Sequence, residues 1–217
     1  MLYLDLHAHS VASDDSRATV EQYLKWVQSL RNKGFRVDGI VLTEHRKFDT
    51  ASDYSALAKN YGVLVLKGSE LDTRYGHFLV YGVTEALFRK VDFSDVHMDP
   101  FRLMEAAEET GAIAIPAHPG RAGIGLVEWM RQGVRFPQVR VMERLNFGNR
   151  PPEAEAAEKL AQEMGLAGIG GSDAHFVSSI GRCLTRFANG PRNEMDLAEA
   201  LRAGEFGAVR LDETLGD

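Results

Sequence analysis

LYLDLHAHS, Leu2 to Ser10, puts Leu2, Leu4 and Leu6 on one side of an extended chain and Tyr3, Asp5, His7 and His9 on the other, a period of two that marks a strand. The strand ends in two imidazoles on one side, roughly 6 to 7 Å apart and able to share an ion. Downstream, Thr19 caps a helix predicted over about 20 to 33, with Val20, Tyr23, Leu24, Val27 and Leu30 at helical spacing, Gln22 as capping-box partner and Gly34 as the stop. An apolar run (37–42), a helical stretch (51–61) and a second run (63–66) repeat the strand, helix, strand order. Asp99 and Pro100 open a helix ended by Gly111, with a strand over 112–117 behind it. Pro151 and Pro152 open another, closed by Gly165, with a strand over 166–170, and a last helix spans about 194 to 203 between Asn193 and Gly204.

Strands alternating with helices of this length predict βαβ units and a parallel sheet. One interruption is expected: the runs over 63–71 and 77–83 are too close for a crossover helix and read as a hairpin. No repeat or linker divides the 217 residues, so one domain covering 1–217 is expected, an α/β fold of the small, irregular barrel type. A chain of this length buries roughly 70% of its unfolded surface without needing staples. Cys183 is the single cysteine, which excludes an internal disulfide and a Cys-rich zinc site and suits a reducing compartment. The N-terminus lacks a secretory pattern and no segment approaches a bilayer span, so a cytoplasmic protein without a membrane partner is expected. A net charge of -6 argues against a broad basic surface for duplex DNA.

Six of the seven histidines stand in short polar clusters at predicted strand ends: His7 and His9, His45 in TEH, His77 after the hairpin turn, His118 in AHPG and His175 in GSDAH. Three carboxylates accompany them, Asp14, Glu70 and Asp173. Strands of an alternating array point the same way, so these ends converge on one face. Nitrogen and oxygen donors without thiolate suit zinc, manganese or iron, and nine ligands exceed the need of one ion and fit two or three. Such a cationic pocket suits a small phosphorylated substrate, with Arg121 and Arg182 as candidate phosphate clamps. Glu44 and Glu143 are possible hydrogen-bond partners of the ligating histidines but equally solvated acids, and His97 has no strand-end position.

In order and spacing, DLHAHS with Asp14, TEH, GSEL with GHFLVYG, AHPGR and GSDAH resemble the five motifs of the polymerase and histidinol phosphatase domain across residues 1 to about 182. The resemblance implies a distorted barrel of about seven β/α units, (β/α)7, with a di- or trinuclear centre at the C-terminal ends of its strands. It assigns His7, His9, Glu70 and Asp173 to one ion, Glu70, His77 and His118 to a second, and Asp14, His45 and His175 to a third. The implied reaction is metal-dependent hydrolysis of a phosphate monoester by a metal-bridging hydroxide held between Glu70 and Asp173. Two departures stand out: Glu44 replaces a common Asp, and only about 34 residues separate the third and fourth motifs, leaving no room for the helical insertion of nucleotide-cleaving members. A metal-dependent amidohydrolase or deaminase is an alternative that also pairs HxH with a late Asp, but Glu70, His77 and the lack of a bridging lysine argue against it. A proofreading or accessory module of a DNA polymerase is a second alternative, so nucleic acid is a partner not favoured, for want of a basic stripe.

Overall fold

The computed structural model describes residues 1–216. The chain runs β1 (Leu2–Ala8), α1 (Val20–Arg31), β2 (Gly39–His45), α2 (Ser55–Tyr61), β3 (Leu64–Thr73), β4 (Gly76–Tyr81), α3 (Glu85–Phe88), α4 (Pro100–Glu109), β5 (Ile113–Pro116), α5 (Leu126–Arg131), β6 (Val141–Asn146), α6 (Pro151–Met164), β7 (Ala167–Gly171), β8 (Cys183–Phe187), α7 (Glu194–Ala203) and β9 (Phe206–Arg210). Local signals act where the sequence places them. Thr19 and Gln22 form the capping box of α1, Asp99 caps α4 ahead of Pro100, and Gly165 and Gly204 close α6 and α7 in the left-handed conformation.

The sheet is mixed rather than parallel. Seven strands follow the order β5-β4-β3-β2-β1-β8-β9 in one curled sheet, and β6 and β7 form a separate parallel pair. Only β1, β2 and β3 run parallel within the large sheet; β3, β4 and β5 alternate in direction, as do β1, β8 and β9. The expected hairpin is β3 and β4.

A continuous seven-unit ladder does not form, and the reason lies at the second edge of β1. Leu2, Tyr3 and Leu4 pair with β8, so it is the segment after β7 that pairs with the end of β1, through the Ala8–Ala174 bridge, with the His9 amide donating to the Ala174 carbonyl at 2.9 Å and the Ala174 amide to the His7 carbonyl at 3.4 Å. Thr185 of β8 substitutes for a ladder: its hydroxyl accepts from the Gly170 amide and donates to the Gly170 carbonyl.

Leu4, Leu6, Val41, Leu66, Leu79, Ile115, Val141 and Ile169 bring seven strands into one buried cluster. Two further clusters pack α1 against β1 and β2, and α4 and α6 against β4. The alternation expected for β1 is lost in burial, since every residue from Tyr3 to Ala8 is buried on both faces. Its pairing with β2 shifts register between Asp5 and Ala8, an irregularity of the kind that re-aims side chains beside functional sites. No helix among the described residues is long and apolar enough to cross a membrane.

Candidate metal centre

Strand ends deliver the histidines. His7 and His9 leave β1, His45 ends β2, Glu70 lies in β3, His77 starts the antiparallel β4, His118 follows β5, and Asp173 and His175 follow β7. Their ligand atoms fall into three groups in which all atoms lie within 4.8 Å of one another: His7, His9, Glu70 and Asp173; Glu70, His77 and His118; and His9, His45 and His175.

Glu70 joins the groups. Its Oε1 lies 2.8 Å from His118 Nε2 and 3.0 Å from His77 Nδ1, while Oε2 lies 3.1 Å from His7 Nε2, 3.2 Å from His9 Nε2 and 3.3 Å from His45 Nδ1. Burial alone would raise its pKa, but the imidazoles, His7 foremost, hold it well below the ordinary range. Burial likewise opposes ionisation of Asp173, and His7 and His9 overcome it. Reciprocally, burial disfavours the charged form of His7, yet Glu143, Asp173 and Glu70 push its pKa well up. His45, where burial dominates, is depressed to about 4. The centre therefore presents strong negative potential, and its nitrogen and oxygen donors form a set that fits divalent cations.

Two observations support that fit. The buried Nδ1 atoms of His9 and His118 have no hydrogen-bond partner among the described residues, a costly state for polar atoms shut away from water. Second, His7 Nε2 and His9 Nε2 face each other at 3.0 Å. With His7 Nδ1 held by Glu143 Oε1 at 2.8 Å, its Nε2 faces His9, Glu70 and Asp173, and a shared cation would take the place of the proton that this negative potential draws onto the ring.

Glu143 is the positioning residue that the sequence left undecided. Fully buried on β6, it receives His7 Nδ1–H through Oε1, and Oε2 accepts from the His118 amide at 2.6 Å and from Asn146 Nδ2 at 2.9 Å. Gly171 admits it: a Cβ there would meet His7 Cβ at 2.4 Å and Glu143 Oε1 at 2.7 Å. Asp5 serves β1 similarly, accepting from the amides of His7, Ser172 and Gly181. Glu44 receives Ser10 and Ser13 and orders the loop after β1 instead of touching a histidine.

Among the described residues only Arg46, His118 and Asp173 adopt positive φ without being glycine, at 54°, 27° and 51°. Each follows a strand that feeds the centre. Such backbone costs about 1–3 kcal/mol per residue and clusters at functional sites. Here the His118 amide is held by Glu143 and the Arg46 amide by the Glu70 carbonyl.

Two expected residues are placed elsewhere. Asp14 does not reach the cluster: its side chain is 94% exposed, and its nearest charged neighbour is Arg46 at 3.9 Å. The adjacent Asp15 turns inward instead, its Oδ2 lying 3.2 Å from both His45 Nε2 and His175 Nε2. A turn presents successive side chains in different directions, and the sequence does not say which. Asp15→Asn is expected to lower the metal content at the His45 and His175 end, weakening affinity about ten-fold or more, whereas Asp14→Asn leaves the native ion count. Metal analysis of the two variants after dialysis checks this, and loss in the Asp14 variant alone would reverse the assignment. Arg182 is also displaced from the cluster, its guanidinium lying over the Phe147 ring at 5.7 Å and its Nε donating to the Ser178 carbonyl. Arg121 does reach the site, with Nη2 2.7 Å from Asp173 Oδ2 and 3.0 Å from Asn146 Oδ1.

Residues 151–206 match a family model described as PHP-associated. No curated protein matches the sequence significantly. Among solved structures, PsfC from Pseudomonas syringae is similar at a TM-score of 0.68 and 18% identity, over 98% of this chain and 93% of that one. A two-domain protein from Bacteroides vulgatus containing a predicted PHP-like metal-dependent phosphoesterase aligns at 0.61 and 22% identity, over 97% of this chain and 65% of its own. The lesion-specific endonuclease PfuEndoQ from Pyrococcus furiosus aligns at 0.67 and 14% identity, over 95% of this chain and 57% of its own. The chain thus spans about two thirds of the second protein and little more than half of the third, and at these identities the likeness is one of fold.

Proposed function

For a chain whose fold and C-terminal segment are those of the polymerase and histidinol phosphatase group, we propose a metal-dependent phosphoesterase that hydrolyses phosphate monoesters on a small substrate. The observation that carries this reading is the sharing of Glu70 and His9 between three histidine and carboxylate groups, with Arg121 at their edge. Adjacent cation sites on a common carboxylate suit the three equatorial charges of a phosphoryl group better than a single neutral acyl carbon.

His7, His9, Glu70 and Asp173 would hold one ion, Glu70, His77 and His118 a second, and His45 and His175 with Asp15 a third; zinc, manganese and iron all accept these donors. Bound there, the ions supply Lewis acidity toward the phosphoryl oxygens and a water acidic enough to attack at neutral pH. The chain's own residues supply order. Glu143 fixes the tautomer of His7 and the strained backbone of His118, Asn146 and Arg121 hold Asp173, and Arg121, still partly exposed, would offer its remaining donors to the incoming phosphate. Glu70 and Asp173, which both lie beside His7 Nε2 and His9 Nε2, would flank the attacking water.

Protein stripped by chelation and reloaded separately with manganese, zinc or iron is expected to hydrolyse p-nitrophenyl phosphate faster than bis-p-nitrophenyl phosphate. Faster cleavage of the diester would favour nucleic acid as substrate, a second reading supported by the fold likeness to PfuEndoQ. Arg121→Ala is expected to raise KM for the monoester about ten-fold or more, because a charged hydrogen bond to phosphate is lost. Ion binding without cleavage of either ester would overturn the phosphoesterase reading.

A further inference from the structure

Eight large hydrophobic side chains are exposed among the described residues, and three of them stand within two positions of the centre's residues along the chain: Val11, two residues after His9; Phe147, next to Asn146; and Phe176, next to His175. Isolated apolar residues on a surface need no explanation, but a group gathered around one polar pocket marks a binding rim. Phe147 is the best placed. Its amide donates to the Gly171 carbonyl, and the next residue, Gly148, packs so tightly that a Cβ would come within 2.8 Å of Arg121 Nη2 and 3.4 Å of Asp173 Oδ2. Phe147 therefore lies between two residues, Asn146 and Gly148, that both reach the Arg121 and Asp173 pair. Arg182 lies over this ring and is tied through Nε to Ser178, in the short turn that follows Phe176.

We propose that Phe147, steadied by Arg182 and flanked by Phe176, is the platform on which a planar aromatic group of the substrate's alcohol stacks. This rests on the phosphoesterase reading, since it takes the phosphoryl group to sit at the histidine cluster beside Arg121. The organic part would then leave the pocket beside Phe147, whose side chain is exposed. An aromatic ring with a guanidinium against it favours another flat, polarisable surface over a flexible chain. Phe147 thus sets specificity without touching the reacting atoms.

Binding of non-hydrolysable phosphonates tests this apart from leaving-group reactivity. By calorimetry on manganese-loaded protein, phenylphosphonate is expected to bind about three- to ten-fold more tightly than methylphosphonate. In Phe147→Ala that ratio falls to about one, and Phe147→Leu, apolar but not planar, recovers only part of it. Adenosine 5′-methylenephosphonate separates the two sources of an aromatic group: tighter binding than phenylphosphonate assigns a nucleobase, weaker binding a smaller aryl group, provided either depends on Phe147. Equal affinities for the phenyl and methyl compounds, or a ratio that survives Phe147→Ala, overturn the platform. If p-nitrophenyl phosphate is cleaved in that case, the phosphoesterase reading stands alone; if neither phosphonate binds and no ester is cleaved, both fall.

Discussion

Glu70→Gln is expected to reduce bound metal by at least one ion per chain and to lower monoester turnover on the order of 10³-fold, the scale seen when a group fixing transition-state charge is removed. The substitution keeps the side chain's shape. It exchanges one acceptor oxygen for an NH₂ group with no lone pair to offer, and it deletes a negative charge that five imidazoles surround at 2.8 to 3.3 Å. Because Oε1 serves His77 and His118 while Oε2 serves His7, His9 and His45, either orientation of the amide spoils one group of ligands. The carboxylate is buried in a polar cluster rather than in an apolar core, so the far-ultraviolet circular dichroism should match the native protein. Native metal content with native turnover in Glu70→Gln would defeat the assignment of this centre.

The part of the centre legible in the sequence is the part carried by short local patterns. HAH and GSDAH each place two polar ligands within four residues of a strand end, and Glu70 and His77 face one another because their strands join through a tight turn, with Leu71 opposite Phe78 and Asp72 opposite His77. Glu143 was legible only as one of two acids, with Glu44, that could partner the histidines or stay solvated, and the sequence did not choose. Its strand reads VMERLN, with charged residues at the third and fourth places, and neither period two nor an unbroken apolar run marks it. Its pairing with β7 comes from tertiary packing, as does the intrusion of β8 beside β1 that breaks the parallel order. The choice between Asp14 and Asp15 depended on a turn in which adjacent residues differ by direction rather than chemistry. His118 and Asp173 take left-handed backbone where a sequence argument would look for glycine, and only the Glu143 contact explains how His118 keeps it.

Removing the ions is expected to lower the melting temperature substantially, because the ligands are assembled only by the fold. His7 and His175 are 168 residues apart, so the unfolded chain offers no comparable set, and ions bound to the native state alone stabilise it by mass action. At free metal 100 times the dissociation constant, one site contributes about 2.7 kcal/mol. For a chain of this size each kcal/mol shifts the midpoint by about 2–4 °C, so one filled site raises it by about 5–10 °C and two by about twice that. Scanning calorimetry of chelated and reloaded samples at one pH, with metal quantified in each, measures the shift. The midpoint should climb with metal concentration, and Glu70→Gln should blunt the rise. A midpoint indifferent to metal in the native protein would mean that the histidines and carboxylates do not form a cation site of useful affinity, and the phosphoesterase reading would lose its foundation.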